Sequence, residues 1–123
     1  PQRIQIDDGG VGGGVVDILK PQYNVRGLNF GSKATEPHFL NLKAEIFWNL
    51  RRIFEKHAIF ISDDRKLITY LNGIQYERTS QGKIKIIDKK QSGTVKSPDH
   101  ADALALACYL KMGGEAFVLD RGF

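Results

Sequence analysis

The chain has 123 residues, enough for one domain with one core, and its apolar fraction of 41% is ordinary for a globular protein. Its 18 Lys and Arg outnumber 14 Asp and Glu for a net charge of +4, which fits an anionic partner as well as it fits a solvated basic surface. A single cysteine excludes an internal disulfide and a cysteine-cluster metal site, and no apolar run is long enough to span a membrane. With no signal peptide at its start, a cytoplasmic protein with no membrane partner is expected.

The first element is a short buried strand over Ile4 and Ile6 that ends in the acidic pair Asp7-Asp8. Five glycines follow among residues 9–14, then an apolar run with helical spacing, predicting a tight turn and a helix over 13–20. Asp7 thus stands at the carboxyl end of a strand, where open α/β sheets place their chemistry. A nucleotide loop is not the reading: GxGxxG fails because Val15 holds the third glycine position, and GxxxxGK[ST] is nowhere in the chain.

Pro21 stops the helix, and residues 23–30 alternate as a second strand. Residues 31–37 form a loop carrying Lys33. The longest helix is predicted over 41–57, with Leu42, Ile46, Leu50, Ile53 and Phe54 recurring at three- and four-residue steps. Trp48 falls off the centre of that stripe, where it stacks on Arg52 or packs under a loop. Residues 58–61 read as a short strand, and Asp63 as the cap of a helix over 67–71. Residues 75–79 and 83–87 alternate about Ser80-Gln81-Gly82, a hairpin signal. The basic stretch 88–96 is a loop carrying Lys89, Lys90 and Lys96. Ser97-Pro98 opens a last helix, and Gly113-Gly114 ends it. Residues 115–123 read as a terminal strand or a disordered tail. Cys108 is read as a small core residue, and His38, His57 and His100 lack metal-ligand spacing.

Asp99 and Asp102 are three apart and share a face of that helix. Asp99 alone has an ordinary reading as first-turn helix chemistry. Asp102 lies among alanines and leucines on a helix built for burial, and an acid there needs a partner or a metal. Carboxylates at a strand end and a helix start can converge on Mg²⁺ or Mn²⁺, which prefer oxygen ligands. Two such ions about 3.5–4 Å apart activate water and stabilise the leaving oxygen of a phosphodiester. Lys33, Lys89, Lys90 and Lys96 read either as a solvated face or as phosphate contacts beside such a site.

Four segments then stand in order: DxxGxGxGVVDxL from Asp7 to Leu19, NFGSKA from Asn29 to Ala34, NxKAExxWNLR from Asn41 to Arg51, and SPDxADALALA from Ser97 to Ala107. This ordered set resembles the nuclease domain of phage terminase large subunits, the DNA-packaging motor proteins. The last segment also resembles the final acidic motif of Holliday-junction resolvases. The resemblance implies an α/β, ribonuclease-H-like fold, a mixed sheet flanked by helices. It implies metal-dependent endonucleolytic cutting of concatemeric double-stranded DNA. Asp7 matches the second catalytic acid, and Asp99 and Asp102 the third acidic motif, with Asp8 adjacent. Lys43 departs from the pattern, standing where arginine is common.

Such families carry a first catalytic Asp on an upstream strand, and an ATPase before that. Residues 1–123 are therefore expected to be one partial domain, N-terminally truncated, with an uncovered sheet edge open to self-association. Such a chain is expected to cut poorly alone. In the intact protein, the terminase small subunit and portal are the implied partners. The alternatives are a junction resolvase and a non-catalytic DNA-binding or assembly module from a prophage remnant.

Overall fold

The computed structural model describes residues 3–9, 11–59, 65–88 and 99–110. Strand β1 (Ile4–Asp7) leads through helix α1 (Val11–Leu19) into β2 (Val25–Leu28), which pairs with it in parallel. The register sets Gln5 beside Arg26, Ile6 beside Gly27 and Asp7 beside Leu28. Helix α1 packs on both strands and begins two residues earlier than its apolar spacing predicts.

After β2 the chain turns at Asn29, whose side-chain oxygen accepts from the Gly31 N–H at 2.8 Å. Backbone bonds from Leu42 to Ser32 (2.8 Å) and from Lys43 to Phe30 (2.9 Å) seat the loop on helix α2 (Leu42–Glu55). Asn41 caps α2 through its side-chain oxygen, which accepts from the Ala44 N–H at 3.0 Å. The predicted stripe is the buried one: Leu42, Ile46, Leu50 and Ile53 all face the core. Burying each such side chain contributes about 1.5–3 kcal/mol.

Helix α3 (Arg65–Gly73) runs directly into β3 (Ile74–Arg78), which forms an antiparallel hairpin with β4 (Ile84–Asp88). Helix α4 (Asp99–Ala107) packs on β1, α2 and α3, and α2 also lies on β4. The main core joins Leu28, Leu42, Ile46, Phe47, Leu50, Ala105, Leu106 and Tyr109. Cys108 packs partly buried against that core, and burial pushes its thiol up, in keeping with a packing role.

Parallel and antiparallel pairing both occur, as in a mixed sheet, but among the described residues they form two two-stranded sheets. The chain leaves β2 to cap α2 instead of pairing on. The link to the hairpin is a bridge from Phe39 to Ile84, with Leu40 N–H donating to the Ile84 carbonyl at 2.8 Å. Ala58 and Ile59 form no strand; Phe60 and Ile61, the Asp63 cap, residues 89–98 and the tail from 111 lie outside the described residues. Trp48 stacks under Arg51 (4.5 Å) and not Arg52, and meets Tyr76 edge-on at 4.9 Å. Beside it is a cavity of about 390 Å³, walled by Phe47, Leu50, Phe54, Leu71, Ile74 and Ile86.

A buried acid the stripe does not announce ties the loop to α2. Glu45, only 2% exposed, accepts from the Thr35 N–H (2.9 Å) and hydroxyl (2.8 Å) and from the Glu36 N–H (2.9 Å). The Tyr109 hydroxyl also donates to it. Tyr109→Phe is expected to destabilise by about 1.5–3 kcal/mol, the usual worth of a bond to a charged group, in denaturant melts. Burial, and next the bond to Glu45, raise the Tyr109 phenol above its ordinary value. The fold therefore favours the neutral phenol. That contribution is complete below pH ~10, where the unfolded phenol titrates, and is lost progressively at higher pH. The unaltered chain should lose more melting temperature than Tyr109→Phe above that pH.

Candidate functional site

Parallel pairing places the carboxyl ends of β1 and β2 side by side, so the Asp7-Asp8 turn and the loop from Asn29 to Lys33 leave the sheet at one end. Asp7 is exposed there, and its Oδ1 accepts from the Gly9 N–H at 3.1 Å, which orients the carboxylate. The turn works because α1 closes down on it. A Cβ at Gly12 would stand 1.7 Å from the Asp7 carbonyl oxygen. The Asp8 carboxylate leans over β2, where a Cβ at Gly27 would come within 2.6 Å of its Oδ2. Glycine at both positions leaves the acidic turn its room. Lys33 is exposed in the neighbouring loop.

Residues alternate along a strand, so Gln5 and Asp7 share one face of β1 and Ile6 takes the other. Gln5 meets α4: its amide nitrogen donates to the Leu106 and Tyr109 carbonyls, the latter at 2.8 Å. Asp7 thus lies on the face that α4 covers. Asp99 opens α4, and Asp102 lies one turn in, partly buried.

Carboxylate oxygens are the donors a hard divalent cation takes, and Asp7 and Asp8 fit that chemistry. Among the described residues, no three His, Cys, Asp or Glu side chains gather to hold a metal ion. The Asp99 side chain and all of Lys89, Lys90 and Lys96 lie outside the described residues. Sequence reasoning missed Gln5, Glu45, Asn49 and Tyr109. Glu45 had one visible signal, an acid inside the apolar stretch Ala44 to Phe47.

No protein-family model and no curated protein matches the sequence. Solved structures do match in shape. The nuclease domain of the large terminase subunit gp2 of bacterial virus Sf6 superposes with a TM-score of 0.66 at 20% identity, covering 90% of this chain and 66% of that one. A point mutant of that domain with manganese gives 0.64 at 20% identity over 88% of this chain and 66% of that one. The large terminase nuclease from thermophilic phage G20c with bound magnesium gives 0.62 at 24% identity, covering 86% of this chain and 51% of that one. The chain therefore spans just under two thirds of the Sf6 domain's length and about half of the G20c chain's. It has the fold of a phage terminase nuclease domain, α/β and ribonuclease-H-like.

Proposed function

We propose that this chain is part of the nuclease domain of a phage terminase large subunit and contributes acids to a metal-dependent endonuclease acting on double-stranded DNA. The observation that carries the reading is Asp7. It is an exposed carboxylate at the carboxyl end of a parallel strand, held by the Gly9 N–H, on a face covered by the helix that bears Asp99 and Asp102. The matching Sf6 and G20c structures with manganese and magnesium support Mg²⁺ or Mn²⁺ as the cation.

Asp7, Asp99 and Asp102 would hold the cation, with Asp8 beside them. When bound, it supplies an activated water and neutralises charge on the scissile phosphate. The protein's own work is placement. The Gly9 N–H fixes the Asp7 carboxylate, Gly12 lets α1 close on the Asp7 backbone, and Gly27 leaves room for the Asp8 carboxylate. Lys33, with Lys89, Lys90 and Lys96, neutralises neighbouring phosphates. In the whole protein the terminase small subunit and portal are the proposed partners, in the host cytoplasm.

Incubation with supercoiled plasmid tests the reading. Slow nicking that requires Mn²⁺ and stops with EDTA is expected, with no preference for four-way DNA over linear duplex. A marked four-way preference overturns it in favour of a resolvase. Duplex binding with neither nicking nor Mn²⁺ binding overturns it in favour of a non-catalytic module.

A further inference from the structure

The last carbonyls of a helix have no partner within it and must find one elsewhere. At the end of α4 and just past it, side chains from two other elements hold the chain. From α2, the Asn49 amide donates to the Cys108 carbonyl at 3.0 Å, and Glu45 accepts from the Tyr109 hydroxyl. From β1, the Gln5 amide donates to the carbonyls of Leu106 and Tyr109. Both acceptors are carbonyls, so only the NH₂ side of the Gln5 amide can face them. Its Oε1 is left buried without a partner among the described residues, which costs about 1–3 kcal/mol. An apolar side chain of the same length would avoid that cost and lose the link.

Gln5 lies two residues before Asp7 on the same strand face, a step of about 6.6 Å. Leu106 lies four residues after Asp102, a step of about 6 Å along a helix. The two steps nearly match. We propose that Gln5 is a positioning residue: by clamping the end of α4 to β1, it sets the level of Asp102 against Asp7 and so the fit of their carboxylates to one cation. The proposal rests on the reading that these acids share a metal.

Mn²⁺ alone is the probe, titrated into the chain while its paramagnetic broadening of the Asp7 and Asp102 backbone amides is followed by NMR. In the unaltered chain both amides broaden over one Mn²⁺ range. In Gln5→Met, both amides require at least about 10-fold more Mn²⁺, the usual scale for loss of a group that orients a metal ligand. Asn49→Leu removes a cap on the same end of α4 from the other side. It should lower the melting temperature comparably and leave the Mn²⁺ range of the two amides unchanged. Gln5→Asn, too short to reach the carbonyls, gives the Gln5→Met result if that variant does not fold. An unchanged Mn²⁺ range in folded Gln5 variants overturns the clamp, as does an equal shift in Asn49→Leu. Asp7→Asn keeps the two ideas apart: if it leaves Asp102 broadening unchanged, or if the unaltered chain binds no Mn²⁺, the shared metal itself is wrong.

Discussion

Replacing Asp7 with Asn is expected to reduce Mn²⁺-dependent nicking at least about 100-fold while leaving the fold intact. Loss of a residue that merely orients a metal ligand costs 10–100-fold in affinity or activity, and Asp7 is proposed as a ligand itself. Its carboxylate is exposed and takes one local bond from the Gly9 N–H. Surface substitutions of that kind change stability by about 0.5 kcal/mol or less. Asn keeps the acceptor oxygen and the shape but lacks the charge, so a loss of cutting with an unchanged melting temperature isolates the charge. Plasmid nicking and thermal melting of the two proteins side by side make the measurement. Equal nicking rates would remove Asp7 from the chemistry.

The second large effect is on the turn. Gly12→Ala is expected to destabilise the chain by about 4 kcal/mol or more, in the range that marks a severe local clash. The added carbon would meet the Asp7 carbonyl oxygen at 1.7 Å and its carbon at 2.8 Å. Both are backbone atoms, so no rotamer change relieves the contact; the strand end and α1 must separate. Gly14→Ala is the matched control. It lies in the same helix with nothing within 4 Å of an added Cβ, and should stabilise by up to about 1 kcal/mol through helix propensity. Urea melts of both variants read the difference. Similar stabilities would mean that α1 does not sit over the Asp7 carbonyl as described.

Those two glycines show what could be read in advance. Their presence in a turn after an acid was plain, but which of them the backbone needs depends on where α1 lands. Helix α2 was legible because Leu42, Ile46, Leu50 and Ile53 repeat locally. The β3–β4 hairpin was legible for the same reason, its turn lying between two alternating runs. Helix α1 begins earlier than expected because residues 11–14, three of them glycine, carry little apolar pattern, and packing on β1 and β2 decides instead. The Trp48 partner was one residue off: the predicted i,i+4 arginine yields to Arg51, which also reaches the Tyr76 ring at 5.3 Å. The hairpin brings Tyr76 there, so tertiary contact makes that choice. The candidate acids were singled out by residue type and motif order. The polar groups holding their elements together were not, since Glu45, Asn49 and Gln5 find partners far along the chain.

The bond from Gln5 to Leu106 spans 101 positions. Closing so long a span costs more chain entropy than closing the β3–β4 turn, by an amount that grows with the logarithm of length. Contacts of this kind also slow folding relative to local ones. During translation β1 leaves the ribosome before its partner carbonyls at 106 and 109 are made. A nascent chain can zip its hairpin and wind α2 well before the two acidic segments are joined. The joining of the Asp7 and Asp102 segments is thus a late event of synthesis, withheld until α4 has emerged.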